Sequence, residues 1–303
     1  MAFIRMRKAA ATVGLASIVV LAGCSDSSET DPPRTSSGSS TPQATLARIQ
    51  ESGTIRVGYA NEAPFAFMDS ASGQLSGEAP AVLRHVMSEL GIEHVEGVLT
   101  EFGSLIPGLQ AGRFDAIAAG MYITPERCKQ VSFSNPTYSI GSAFIVAEGN
   151  PKGLHSFEDV AKAADATLGV VVGAIESEYA TQSGVPQDRI VIFPDAASAL
   201  AGVQAGRVDA YAATALTVND LLAKGAQGVE RAQPFTDPEI DGESVRGYGA
   251  FAFRQDDVQL LEAFNNALKN YIGSEEHLAA VKPFGFTENE LPGAVTAEAL
   301  CAS

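Results

Sequence analysis

Arg127 stands in the run Ile123-Thr124-Pro125-Glu126-Arg127-Cys128. Thr124 reads as a helix N-cap and Pro125 as the first helical residue, which puts Arg127 in the first turn. A cation there opposes the helix dipole, and a nearby anion would resolve the conflict. A guanidinium can grip a carboxylate with two parallel hydrogen bonds. The alternative is a surface arginine paired with Glu126 or Glu101. Glu62 lies in Asn61-Glu62-Ala63-Pro64-Phe65, directly after an alternating apolar run. It is either an acceptor for a cationic N–H group or a solvated loop acid. Phe65, Phe102 and Tyr122 fall in three separate loops. Taken singly, each ring reads equally well as loop packing on the core. Together, three ring faces form a cage for a cation, each worth roughly 0.5–2 kcal/mol.

Enzymatic and metal motifs are not found. The four histidines, His85, His94, His155 and His277, lack metal-ligand spacing, and His85 and His94 read as surface residues. Gly247-Tyr248-Gly249 has no dinucleotide-binding context, and no nucleophile elbow occurs. These residues imply neither a cofactor nor a metal.

The elements that must position the candidates alternate between strand and helix. Thr54–Ala60, Leu168–Val172, Arg189–Phe193 and Tyr248–Phe253 read as strands, and Ala79–Leu90 and Val258–Ile272 as helices. A turn at Gly173 leads into a helix through Tyr179. An internal echo organises the rest: residues 105–121 and 199–215 share G-[LV]-Q-A-G-R-[FV]-D-A-x-A-A. Each copy reads as a helix closed by Gly112 or Gly206, then a buried strand starting near Phe114 or Val208. Two such units imply two α/β lobes of like construction with mainly parallel sheets. Ligands of such proteins sit at the carboxyl ends of strands and between lobes.

The ends set the compartment. Arg5, Arg7 and Lys8 precede an apolar run from Ala9 to Ala22, a charged segment followed by a hydrophobic one. The run is short for a membrane span, which needs roughly 20 apolar residues. Leu21-Ala22-Gly23-Cys24 resembles a bacterial lipobox, which implies cleavage before Cys24 and lipidation of its sulfur. Residues 24–43 are polar and aperiodic and read as a tether, with the folded part from about Ala44 onward. The net charge is −16. Loss of the three signal cations makes the mature chain about −19, which argues against a nucleic-acid partner. Cys128 and Cys301 either pair in an oxidising compartment or stay as two thiols.

Several strings carry a family resemblance. G-T-I-R-V-G-Y at 53–59, A-G-M-Y-I-T-P-E-R at 119–127 and V-S-F-S-N-P-T-Y at 131–138 resemble the amino-acid-type extracellular solute-binding proteins of ABC importers, over Thr54 to about Phe286. More narrowly, N-E-A-P-F at 61–65, G-E-A-P at 77–80, T-E-F-G-S-L-I-P-G-L at 100–109, I-T-P-E-R-C at 123–128 and D-A-Y-A-A-T-A-L-T-V at 209–218 resemble the ectoine/hydroxyectoine-binding lipoproteins. The resemblance implies a type II periplasmic-binding-protein fold of Venus-flytrap form. Its first lobe is discontinuous, residues 44–138 and 248–303, and its second spans 139–247, with crossovers near Tyr138–Gly141 and Arg246–Ala250. It implies ligand contacts from Glu62, Phe65, Phe102, Gly120, Tyr122, Arg127 and Thr214, with Arg127 on the ligand carboxylate. Thr214 stands where amino-acid binders commonly place an Asp for the α-ammonium, and Tyr122 where a small hydroxyl residue is common. Those departures favour a delocalised or alkylated cation over a plain α-amino acid. The implied partners are a small zwitterion, the ABC permease subunits and a lipid anchor. The implied state is an extracytoplasmic monomer without enzymatic activity. The alternatives are a binder of a polar amino acid or betaine, and a dehydratase-type enzyme on the same fold with Glu62 as its acid or base.

Overall fold

The computed structural model describes residues 42–240 and 243–302. The signal run and Cys24 lie outside them, as does the tether as far as residue 41. The tether expected over residues 24–43 would not reach Gln43, because a helix, Pro42–Ser52, starts inside that span. Ile49 is fully buried, Leu46 packs on the same core, and Arg48 pairs with Asp115. This helix carries few apolar residues, which is why its periodicity does not stand out in the sequence.

Two sheets dominate. The first has the order His94–Leu99, Thr54–Tyr59, Ala116–Tyr122, Gly247–Phe253, Ser132–Phe133, with Tyr138–Ile140 also paired to Gly247–Phe253. Its first three strands are parallel and Gly247–Phe253 runs antiparallel to them. The second has the order Ile190–Phe193, Leu168–Val171, Ala210–Thr214, Ser142–Ala147, Val229–Arg231. It too has three parallel strands, followed by an antiparallel one. The fold is thus α/β and two-lobed. Helices fall close to the expected spans, at Glu78–Glu89, Glu176–Gln182 and Val258–Tyr271.

The echoed strands begin at Ala116 and Ala210, two residues later than expected. The cause is the aspartate in each copy. The Asp115 N–H donates to the Arg56 carbonyl at 2.8 Å, but the Arg56 N–H donates to the Asp115 carboxylate at 3.0 Å. Asp209 does the same with Thr167, whose N–H reaches its carboxylate at 2.8 Å. A side chain thus replaces one carbonyl of each ladder, and regular pairing starts only beyond it. Gly112 and Gly206 close the preceding helices at φ of 70° and 65°.

The chain crosses between lobes twice, side by side. Tyr138–Ile140 belongs to the first sheet and Ser142–Ala147 to the second, with Gly141 between. On the return, Gly247 pairs with Ile140 and Gly249 with Tyr138. Asp237 accepts the Ser142 N–H at 2.7 Å. A Cβ on Gly141 would lie 2.5 Å from the Asp237 carboxylate, so this crossing residue has no room for a side chain.

Candidate functional site

Arg127 is set by the expected local geometry and by contacts that only the fold supplies. Thr124 caps the helix Pro125–Cys128 by accepting the Arg127 N–H at 3.3 Å. The guanidinium bonds elsewhere than Glu126, which pairs with Lys129, and Arg127 makes no ion pair among the described residues. Its Nη1 donates to the Tyr122 carbonyl at 2.7 Å, and its Nη2 donates to the Gly173 carbonyl of the other lobe at 2.9 Å. Two of its five donors are thereby used, leaving others for a ligand. Cys128 is disulfide-bonded to Cys301, with 5.7 Å between their Cα atoms. That bond fixes the end of the Arg127 helix to the C-terminal helix Ala297–Ala302.

Glu62 sits in a tight turn whose carbonyl accepts the Phe65 and Ala66 N–H groups at 3.0 and 2.9 Å. Asn61 before it has φ 53°, a conformation that Asn tolerates better than most residues. Desolvation raises the Glu62 pKa, and a hydrogen bond from Thr217 opposes the rise. The Thr217 hydroxyl donates to Oε1 at 2.8 Å from across the interlobe gap. Thr217 is itself held by Thr214, whose hydroxyl donates to the Thr217 Oγ1 at 2.9 Å and accepts the Thr217 N–H at 3.2 Å. Thr214 is therefore a helix N-cap as well as a lining residue.

The rings do not lie in three exposed loops as expected. Tyr122 ends the strand Ala116–Tyr122 and is buried, while Phe102 opens a short 3-10 turn. Phe65 is only 2% exposed and packs on Tyr138 and Phe286 at 5.3 and 5.7 Å. Two glycines make room. A Cβ on Gly120, whose φ is 68°, would strike the Phe65 ring at 2.6 Å, and one on Gly247 would lie 1.7 Å from the Tyr122 ring. The Phe102 face is occupied by the Arg127 guanidinium, 5.7 Å from its centroid. The Tyr122 hydroxyl is buried and has no hydrogen-bond partner among the described residues.

One cavity between the sheets, about 430 Å³ with the solvent at its mouth included, brings Glu62, Phe65, Phe102, Gly120, Tyr122, Arg127 and Thr214 together. Sequence reasoning missed its other wall. Val171, Ile175, Glu176 and Tyr211 also line it. Glu176 is 4% exposed, and desolvation raises its pKa to about 7. The available signal was its place just past the carboxyl end of Leu168–Val171, the counterpart of Glu62 past Thr54–Tyr59. Nothing marked Tyr211, which occupies the place of Ile117 in the echo. His85 corrects another expectation: it is partly buried and stacked on Tyr271 at 3.6 Å, not a free surface residue.

A cavity between two α/β lobes, bounded by a guanidinium, acids and rings, is the geometry of a solute receptor. The model of the bacterial extracellular solute-binding proteins, family 3, matches residues 55–286. The chain belongs to this family. A probable amino-acid ABC transporter periplasmic-binding protein, y4tE of Sinorhizobium fredii, is 40% identical over 264 residues, which cover 86% of each chain. The ABC transporter arginine-binding protein 1 of Escherichia coli is 32% identical over 167 residues, 55% of this chain and 64% of that one. Among solved structures, EhuB in complex with hydroxyectoine has 37% identity and a TM-score of 0.78, covering 87% of this chain and 99% of that one. As a family 3 solute-binding protein, the chain acts outside the cytoplasm on a small solute with ABC permease partners.

Proposed function

We propose that this chain is the receptor of an ABC importer for a compact cyclic zwitterion of the ectoine class. It captures the solute by hinge closure and performs no chemistry on it. The observation that carries the reading is the single cavity that joins the Arg127 guanidinium to Glu62 and to the Phe65 and Tyr122 rings. Arg127 takes the ligand carboxylate, Glu62 accepts from ring N–H groups, and the ring faces enclose the delocalised charge. Because Phe102 already faces Arg127, its part is to hold that cation rather than the ligand's. Thr214 offers no charge, so a primary α-ammonium would lack the acid that amino-acid binders commonly place there. The likeness to a hydroxyectoine-bound structure supports the same class.

Closure divides the chain into lobes at 42–140 with 247–302, and 142–246, bending at Gly141 and just before Gly247. The sequence bounds of 44–138 with 248–303 and 139–247 shift because Pro42–Ser52 packs on the first lobe and Tyr138–Ile140 and Gly247 pair in its sheet. Cys24 carries the lipid anchor, and the monomer is the working form. A Cys24→Ala chain expressed in its host should leave the membrane fraction.

A basic amino acid is the second reading, favoured by the second cavity acid, Glu176, and by an arginine-binding relative. Calorimetric titration with ectoine, hydroxyectoine, glycine betaine, proline, glutamine and arginine separates the two. Ectoines should bind at least about a hundredfold tighter than glutamine or arginine, roughly 2.7 kcal/mol. Tighter binding of either amino acid overturns the ectoine reading. Recovery of the ligand unchanged after prolonged incubation excludes turnover.

A further inference from the structure

Among the cavity's lining residues, the ionisable side chains that set its charge are Glu62, Glu176 and Arg127. With all three ionised, the wall carries one net negative charge. A zwitterion adds none, so closure around it would seal one unpaired negative charge between the lobes. An uncompensated buried charge is among the costliest features a protein can hold. Glu62 has a donor, Thr217, at 2.8 Å. The Glu176 pKa is raised by burial and eased down by its own backbone N–H, and its carboxyl lies among Glu62, Arg127, Tyr122, Tyr138, Tyr179 and Tyr211. The four tyrosines stay neutral, since burial raises the pKa of each.

We propose that Glu176 is a specificity-determining residue that closes on the ligand as the neutral acid, so that capture of a net-neutral zwitterion takes up one proton from bulk water. The proposal rests on the zwitterion reading above. The carboxylate becomes a carboxylic acid, no other bond changes, and Glu176 gains an O–H donor to offer the ligand. A ligand with net charge +1 would balance the wall without a proton, so the same residue ranks neutral zwitterions above cations as pH falls. Burial supports this by lifting the Glu176 carboxyl from its ordinary 4.5 to about 7, while Arg127 pulls the other way.

The sign follows from linkage. An acid whose pKa rises on closure strengthens binding fully below the open-state pKa and loses that gain as pH rises through the closed-state value. Affinity for ectoine should therefore fall between about pH 4.5 and pH 7 and level off above, with at least about a tenfold loss from pH 5 to pH 8.

The test is titration of the full chain with ectoine at pH 6 in buffers of different ionisation enthalpy. The dependence of observed heat on buffer should report close to one proton taken up, and almost none at pH 8.5. Glu176→Gln, isosteric with the neutral acid and unable to titrate, should remove both the uptake and the pH slope. Ectoine binding with no proton uptake at pH 6 overturns the proposal and leaves the zwitterion reading intact. Undiminished uptake in Glu176→Gln also overturns it, because the proton then resides on Glu62. If Glu176→Gln does not fold, Glu176→Ala is read in the same way: loss of the uptake supports the proposal and undiminished uptake overturns it. If arginine binds and no zwitterion does, the zwitterion reading fails and the proposal falls with it.

Discussion

The Thr217 hydroxyl donates to Glu62 Oε1 at 2.8 Å, joining residues 155 positions apart on opposite lobes. Thr214 orients Thr217, so a helix cap on one lobe ends in an acid on the other. Thr217→Val keeps the volume and removes the donor. A hydrogen bond of this kind is worth about 0.5–1.5 kcal/mol net. We expect severalfold weaker ectoine binding by calorimetry and a larger open population by small-angle scattering. An unchanged affinity would show that the bond does not contribute to closure.

Arg127 holds two carbonyls, one from each lobe. Arg127→Ala should reduce affinity by more than a hundredfold, at least about 2.7 kcal/mol, while the chain stays folded. Arg127→Lys should also bind poorly, because a point charge cannot reach the Tyr122 and Gly173 carbonyls and still form a fork on a carboxylate. Near-normal titration curves in either variant would sink the role.

Gly247 lies against the Tyr122 ring, with no space for a methyl group. Gly247→Ala should displace that ring into the cavity and cost ligand affinity strongly. The same change at Gly112, where a Cβ meets nothing but the backbone is left-handed, should cost stability alone. Comparing melting temperature with affinity in the two variants distinguishes the effects.

The Cys128–Cys301 bond closes a span of 173 residues. Reduction should lower stability by about 2–4 kcal/mol in denaturant titration. It should also loosen the helix that carries Arg127 and so weaken the ligand. Thiol labelling of the unfolded, unreduced protein should find neither cysteine reactive.

Glu78 is 2% exposed beside the interlobe crossing, and its carboxyl accepts from the Thr137 hydroxyl at 2.8 Å. Desolvation raises its pKa to about 8 from an ordinary 4.5, against the Thr137 hydrogen bond. Its contribution to stability is full below about pH 4.5 and is lost as pH rises through about 8. Melting temperature should therefore decline across that window. Glu78→Gln should flatten the decline and melt higher than the wild type at pH 8. A lower melting point for Glu78→Gln at pH 8 would count against a protonated Glu78.

Local physics made much of this protein legible from its sequence. Thr124 and Pro125 announce the helix start at Arg127, because capping depends on residues a few positions apart. The echoed Q-A-G-R-x-D-A run reveals two similar lobes, because left-handed Gly112 and Gly206 and buried strands leave local marks. The seven candidate residues share one cavity because they lie in or just beyond the carboxyl-end halves of strands, or in the turn or helix that follows, where such folds place ligands. The second wall was not legible in the same way. Glu176 and Tyr211 look like an ordinary helix acid and a core ring until the lobes meet. The link from Thr217 to Glu62 has no local signature, since nothing within a few residues of either requires the other. Whether Cys128 meets Cys301, which ring Arg127 covers and how many charges share the cavity depend on distances between segments far apart in sequence. Those distances are set by the paired crossings at Tyr138–Ile140 and Gly247–Gly249, and only the tertiary structure decides them.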